Sequence, residues 1–147
     1  MSTQAAIFIR NENRFYSGNE IAHDGYIEIS DEKRKCHGFG AGYMLSKYWQ
    51  NRKDVQKLIN SSVIRNLGKD YTDTEFYNWK QPFFNKSFAF NEIKEFAYSY
   101  IYIFNKNDEW VVLKPDSIHF RDNFLNLSCF LNYNDPERFF DHETFWN

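Results

Sequence analysis

The hydrophobic and polar positions near the start of the chain follow the pattern of a β-hairpin. Ala5 to Arg10 is apolar and partly β-branched, as strands prefer. The polar run Asn11-Glu12-Asn13 suits a turn, and it leads into Arg14-Phe15-Tyr16. We therefore predict two paired strands joined by this turn.

Turn-forming residues continue after this hairpin. Gly18-Asn19 and Asp24-Gly25 are predicted as further turns, because glycine and asparagine tolerate the backbone angles that turns need. Tyr26 to Ile29 alternates as a short strand does, and the charged segment from Ser30 to His37 is predicted as a loop.

From Gly38 the apolar positions change to helical spacing. The first predicted helix places four apolar residues on one face: Ala41, Met44, Leu45 and Tyr48. Asn51 is suited to cap a second helix, with Asp54 in the first turn, where the helix dipole favours an anion. The buried face of this second helix would consist of Val55, Leu58 and Ile59.

The second half of the chain holds the strongest strand pattern. Ala97 to Phe104 and Glu109 to Leu113 are rich in aromatic and β-branched residues, and they flank the polar loop Asn105 to Asp108. This arrangement predicts a second hairpin. Before it, the irregular segment 69–86 is predicted as a long loop packed on the domain, and Phe90 to Phe96 as a short helical turn.

The end of the chain is predicted as helical. Four apolar residues recur there at helical intervals: Phe120, Phe124, Leu127 and Leu131. Ser128-Cys129-Phe130 also fits a strand, and we favour the helix. Asp135-Pro136 is typical of a helix start, which predicts a short acidic helix from Glu137 to Phe145.

Together these segments predict one α+β domain spanning residues 1–147, with an antiparallel sheet of aromatic-rich hairpins packed against two or three short helices. Its predicted parts are a hairpin and strand region, a helical region, a second hairpin and a C-terminal helical segment, at residues 7–29, 38–68, 97–114 and 120–147.

The composition adds an expectation about surfaces. Aromatic residues make up 20% of the chain, with 16 Phe, 10 Tyr and 4 Trp, so the core must be largely aromatic. Rings that do not fit the interior of so small a domain would form surface patches of the kind that bind partners. The formal net charge of −2 argues against a domain that binds polyanions by bulk electrostatics.

The cysteines and the N-terminal residues predict a compartment. Cys36 and Cys129 stand far apart without a CxxC motif, which favours free thiols in a reducing environment. Met1 to Gln4 lacks the basic and apolar pattern of a signal peptide, and no apolar run approaches the length of a membrane span. We expect a protein of the bacterial cytoplasm.

The residues that are able to carry out chemistry do not form a recognised catalytic motif in the sequence. The sequence has no nucleophile motif, and the glycine run Gly38 to Gly42 lacks the Lys-Ser/Thr of a phosphate loop. His23-Asp24 and Cys36-His37 are competent metal ligands, but their spacing matches no standard zinc module. We expect no cofactor, no metal and no enzymatic activity. The alternative left open is a metal- or nucleotide-dependent hydrolase centred on His23, Asp24 and His37.

A second alternative is nucleic-acid binding by a basic surface. Its candidate residues are Lys33, Arg34, Lys35 and Arg52, with aromatic residues nearby on which bases stack. A solvated charged loop explains the same residues, and we favour that explanation. The alternative predicts a contiguous basic face and an affinity that falls steeply with salt.

A resemblance covers the first half of the chain. It rests on the turn His23-Asp24-Gly25-Tyr26 together with Ser2, Thr3, Ile7, Gly42, Met44, Leu45, Tyr48, Val55, Leu58, Ile59, Ile64, Leu67 and Gly68. In these residues the chain resembles a family of small uncharacterised proteins encoded by phages, prophages and plasmids, whose turn reads His-Trp-Asp-Gly-Tyr-Pro. The chain lacks the Trp and has Ile27 in place of the Pro. Tyr98 to Tyr102 and Asn107 to Val112 resemble the aromatic strand and the hairpin of the same family.

The resemblance implies a mobile-element origin. Accessory proteins of mobile elements often bind and block a host protein, which implies a stoichiometric anti-defence or anti-CRISPR inhibitor. Its partner would be a host protein or defence complex, with a homodimer left open and with neither membrane nor direct nucleic-acid binding expected. The candidate contact residues are His23, Asp24, Tyr26, Asp141, Glu143 and Trp146.

Overall fold

The structure, a computed structural model, describes residues 4–23, 25, 30–31, 36–37, 40–113 and 125–126. The strands are β1 (Ala5–Arg10), β2 (Tyr16–Ile21), β3 (Ser30–Asp31), β4 (Cys36–His37), β5 (Ile64–Asn66), β6 (Glu75–Phe76), β7 (Tyr100–Phe104), β8 (Trp110–Leu113) and β9 (Leu125–Asn126). The helices are α1 (Ala41–Tyr48), α2 (Arg52–Ile59) and α3 (Phe90–Ile93).

Within this part of the chain, seven strands form one sheet in the order β6-β5-β2-β1-β7-β8-β9, and β3 pairs with β4 separately. The predicted α+β class is confirmed. The sheet is mixed, however, because β1 pairs with β7 and β2 pairs with β5 in parallel, so the expectation of an antiparallel sheet is wrong at these two pairings. The parallel pairing of β1 and β7 joins the two predicted hairpins into one sheet.

Strand β1 forms the middle of the core because both of its faces are apolar. Ala5, Ile7 and Ile9 face α1 and α2, where they contact the buried side chains of Leu45, Val55, Leu58 and Ile59. Ala6 and Phe8 face the opposite way, toward the segment that includes α3. A strand buried on both faces reads as a continuous apolar run, as this one does.

An aromatic layer covers the second face of the sheet. The expectation of a largely aromatic core is wrong, however, because most of the buried hydrophobic residues in the described part of the chain are aliphatic. The ring of Phe8 lies 5.3 Å from that of Phe83 and 5.9 Å from that of Phe96, measured between centroids. Phe88 meets Phe96 edge to face at 5.2 Å. Such pairs add stabilisation beyond the area that they bury. The segment 69–86, predicted as a long loop, reaches this layer through Phe83 and also contains the two-residue strand β6.

The predicted elements between residues 40 and 113 are confirmed with small changes of boundary. Helix α2 begins at the expected cap, since the side chain of Asn51 accepts hydrogen bonds from the backbone N–H of Lys53 at 2.9 Å and of Asp54 at 3.3 Å. The predicted helical turn after residue 89 forms α3, and the second hairpin pairs β7 with β8.

The first hairpin is also confirmed, but the turn predicted at Gly18-Asn19 is wrong. Both residues lie inside β2 and are buried. Gly18 lies opposite Phe8, whose ring occupies the space above it. Asn19 uses its side-chain amide to bind α2. Each residue therefore serves a packing contact in the middle of a strand.

Other predictions fall wholly or partly outside the described residues. The strand at Tyr26 to Ile29 lies outside them, as does most of the C-terminal helical segment 120–147. Leu125–Asn126 form strand β9 against β8, so a helix is wrong at these two residues. The ends of the predicted loop Ser30 to His37 pair as β3 and β4. No helix among the described residues is long and apolar enough to span a membrane.

Candidate binding groove

An open groove of about 610 Å³ lies on the aromatic-layer face of the sheet, where several strands begin or end. Its polar and aromatic lining residues are Gln4, Glu20, His23, Tyr77, Trp79, Tyr98 and Ser99. Gln4 precedes β1, Glu20 lies in β2 and His23 follows β2. Tyr77 and Trp79 follow β6, and Tyr98 precedes β7. The groove therefore depends on the sheet order, which brings together segments that are far apart in the sequence.

The pairing of the strands sets the order of side chains across the groove. Ile21 pairs with Ile64, and Ile64 pairs with Phe76. The hydrogen bond from Tyr77 N–H to the Val63 carbonyl at 2.9 Å continues the contact between these two segments beyond β6. Glu20, Val63 and Tyr77 therefore follow one another along one row, and paired residues point to the same face of a sheet.

Two aromatic rings form one wall of the groove. The rings of Tyr77 and Trp79 are stacked, with centroids 4.1 Å apart and an angle of 17° between their planes. The backbone of Trp79 accepts a 3.5 Å hydrogen bond from Val63 N–H, and the hydroxyl of Ser62 donates to the Tyr77 carbonyl at 2.6 Å. Although it is held in this way, Trp79 remains 54% exposed.

Two hydrogen-bonded pairs contribute polar groups to the groove. Nε2 of His23 and the hydroxyl of Tyr77 are 2.5 Å apart. The hydroxyl of Tyr98 donates to Oε1 of Glu20 at 2.8 Å. Burial raises the pKa of Tyr98 well above its usual range, and the Glu20 carboxylate raises it further. Tyr98 therefore stays protonated at neutral pH and keeps donating to the carboxylate.

The groove has a negative character. Among the described residues that line it, Glu20 is the only Asp, Glu, Lys or Arg. The faces of aromatic rings are also negative, because the π system carries a quadrupole. The guanidinium of Arg65 already lies 5.9 Å from the centre of the Tyr77 ring. The groove thus combines one carboxylate with two aromatic rings that attract cations.

The structure describes only some of the predicted contact residues. His23 lies in the groove, and His37 belongs to β4. The remaining predicted residues lie outside the described part of the chain: Asp24, Tyr26, Asp141, Glu143, Trp146, Lys33, Arg34 and Lys35. The contacts predicted for them stay predictions.

Several groove residues were missed at the level of sequence: Glu20, Tyr77, Trp79 and Tyr98. A usable signal was the alternation of Tyr77 and Trp79, which places two large rings on the same side of an extended segment. Nothing in the local sequence marks Glu20, whose partner Tyr98 lies far along the chain.

Arg52, the described member of the predicted basic surface, binds its own chain. Its guanidinium donates to the carboxylate of Asp108 at 2.7 Å and to the backbone carbonyls of Arg10 at 2.9 Å and Asn105 at 2.6 Å. It also lies 5.0 Å from the centre of the Phe104 ring. Arg52 therefore ties the start of α2 to the turns of both hairpins.

Substituting Arg52 by methionine is expected to lower the free energy of unfolding by about 2 kcal/mol, since two carbonyls and one carboxylate lose a charged donor. Urea unfolding at neutral pH measures this change. Lys53→Met is the matched control, because Lys53 is exposed on the same turn of α2. Equal losses for the two variants would show that Arg52 does not have this structural role.

No group of three or more His, Cys, Asp or Glu in the described ranges is arranged to hold a metal ion. Comparison of the chain with protein-family models, with curated proteins and with solved structures finds no match.

Proposed function

We propose that this protein is a mobile-element accessory protein that binds a host protein complex stoichiometrically and inhibits it, as an anti-defence or anti-CRISPR protein does. The groove and its aromatic wall are the proposed contact surface. The observation that carries the proposal is the exposure of Trp79, a large ring stacked on Tyr77 at the groove. Tryptophan, tyrosine and arginine dominate the binding energy of protein interfaces.

The aromatic wall also suits binding because it is held in place before any partner arrives. Tyr77 stacks on Trp79, and its hydroxyl is hydrogen-bonded to His23. A side chain that is already ordered loses less conformational entropy when a partner covers it. His23, which the sequence predicts as a contact residue, belongs to the same surface.

The proposed partner is a protein with a basic segment. The groove carries a carboxylate and aromatic faces, and complementary charge favours a cationic side chain on the partner. The predicted acidic residues Asp141 and Glu143 would favour the same kind of partner. Inhibition then follows from occupying a surface that the host complex needs, without any chemical step.

Affinity capture tests this proposal. The tagged protein is used to capture partners from a host lysate that expresses its defence systems, and one partner in constant stoichiometry is expected in samples with and without EDTA. Trp79→Ala should weaken binding of that partner about 30-fold, the effect of losing a central aromatic contact. It should also abolish protection in a phage-restriction assay.

Phe15→Ala is the matched control for this experiment. Phe15 is 44% exposed, and it precedes β2, whereas the groove lies at the other end of that strand. Equal retention of the partner by the wild-type and Trp79→Ala proteins would contradict the groove as the contact surface. Light scattering of the purified protein gives its oligomeric state and tests the predicted possibility of a homodimer.

The hydrolase centred on His23, Asp24 and His37 stays a second prediction. The groove contains His23 beside Tyr77, which gives this prediction one of its three side chains in a pocket. Loss of the protective activity in EDTA, with no partner captured, would favour the hydrolase over the inhibitor.

A further inference from the structure

We infer that the groove binds an arginine side chain of the partner, with the guanidinium paired to Glu20 and the aliphatic stem packed on Tyr77 and Trp79. This inference rests on the proposed function, since it names the group that the partner presents. Three properties of the groove support it: its charge, the order of its side chains and the chemical match of its carboxylate and rings to a guanidinium.

The charge of the groove selects a cation. Glu20 supplies the one formal charge among the described lining residues. Removing a carboxylate partly from water costs free energy unless a cation or hydrogen-bond donors replace the lost hydration. Tyr98 supplies one donor to Oε1. A cationic side chain in the groove would complete the pairing of this carboxylate.

The order of the side chains fits a long residue with an apolar stem. The row Glu20, Val63, Tyr77 crosses three neighbouring strand positions, and strands in a sheet lie about 4.8 Å apart. The backbone of Glu20 is therefore about 10 Å from the backbone of Tyr77 along this row, with the small apolar Val63 between them. Long basic side chains bury their methylene groups against apolar surface while the charged end reaches a polar partner.

The carboxylate at one end of the groove and the aromatic rings at the other favour arginine over lysine. A guanidinium is planar, matches a carboxylate with two parallel hydrogen bonds and is weakly hydrated. It also stacks on aromatic rings more often than an ammonium does.

The test uses three peptides that differ in one side chain: acetyl-Gly-Arg-Gly-amide, its lysine analogue and its citrulline analogue. Citrulline keeps the shape of arginine but is uncharged. Each peptide is titrated into the full-length ¹⁵N-labelled protein, and the indole N–H of Trp79 and the backbone N–H of Glu20 are followed by NMR. The arginine peptide is expected to bind with a dissociation constant of about 1 mM, a weak affinity suited to one side chain.

The expected differences are large enough to decide the question. The citrulline peptide should bind at least about 10-fold more weakly, because it loses a charge-assisted pair. Glu20→Gln should cause a similar loss for the arginine peptide and leave citrulline binding unchanged. Trp79→Ala should weaken the arginine peptide about 3-fold to 10-fold. Phe15→Ala should change none of these values.

Two results would overturn the inference: equal binding of the arginine and citrulline peptides, or arginine binding that survives Glu20→Gln in a protein with an otherwise unchanged spectrum. Tighter binding of the lysine peptide would overturn the choice of a guanidinium. Failure of the inference is distinguishable from failure of the proposed function. Capture of a host partner that depends on Trp79 but not on Glu20 would reject the arginine inference and leave the proposed function standing. Peptide binding without any captured partner would reject the proposed inhibitor function and leave the arginine inference standing.

Discussion

Replacing Asn19 by aspartate is expected to lower the free energy of unfolding at neutral pH by about 3 kcal/mol. The side-chain amide of Asn19 is fully buried, and its N–H groups donate to the carbonyls of Leu58 at 2.9 Å, Ser62 at 3.0 Å and Ser61 at 3.4 Å. Aspartate keeps the shape but removes this donor. It also places a negative charge at the C-terminus of α2, where the helix dipole is negative.

The pH dependence of the stability of this variant tests whether the lost donor and the added charge cause the destabilisation. A protonated carboxyl has an O–H to donate, whereas an ionised one only accepts. The buried site raises the pKa of the introduced carboxyl, because burial and nearby carbonyls disfavour its charged form. The folded state then binds the proton more tightly than the unfolded state, so the destabilisation should shrink as pH falls through the raised pKa.

Urea unfolding at pH 7 and pH 4, compared with the wild-type protein at each pH, measures both effects. Asn13→Asp is the matched control, because Asn13 is exposed and its side-chain oxygen accepts a hydrogen bond from Phe15 N–H at 3.0 Å, which aspartate also does, so its substitution is expected to change stability by less than about 0.5 kcal/mol. Equal changes in the free energy of unfolding for the two substitutions would show that the hydrogen bonds from Asn19 to the end of α2 do not stabilise the fold.

Gly18→Ala is expected to lower the free energy of unfolding by about 2 kcal/mol, because the new methyl group collides with a ring that cannot move. A Cβ at Gly18 would lie 2.4 Å from Cε1 of Phe8 and 3.1 Å from the carbonyl oxygen of Ile7. The Phe8 ring is fully buried and is held by Phe83 and Phe96. The collision therefore shifts the ring cluster or the strand.

A double-mutant cycle with Phe8→Leu tests this explanation. Leucine is smaller than phenylalanine, so Gly18→Ala in the Phe8→Leu background should cost less than about 1 kcal/mol. The difference between the two costs is the coupling between residue 18 and the ring, measured by urea unfolding. A cost that stays the same in both backgrounds would assign the effect to the backbone of β2 and not to Phe8.

The elements that the sequence predicts well are those with a clear local period. Both hairpins, α1 and α2 follow from alternation or helical spacing, and the cap at Asn51 follows from residue type alone. These features depend on residues near one another in the chain.

The features that sequence reasoning missed depend on distant partners. Gly18-Asn19 has the composition of a turn, but Phe8 and the end of α2 hold it in a strand. The parallel pairings β1·β7 and β2·β5 also join segments that no local pattern connects. The groove follows from these pairings, because Glu20 meets Tyr98 only when β1 lies between β2 and β7. The grouping of the groove residues is therefore evident only from the three-dimensional structure.

The central position of β1 has a consequence for biosynthesis. The ribosome makes β1 before its neighbour β7, and Ala5 pairs with Tyr100, so one edge of β1 stays open while the intervening residues are translated. An exposed apolar strand edge is a site of aggregation. Pairings across so long a stretch of chain also form slowly. The strand that leaves the ribosome early is thus among the last to be enclosed, and we expect nascent chains that end before residue 100 to depend on chaperones for solubility.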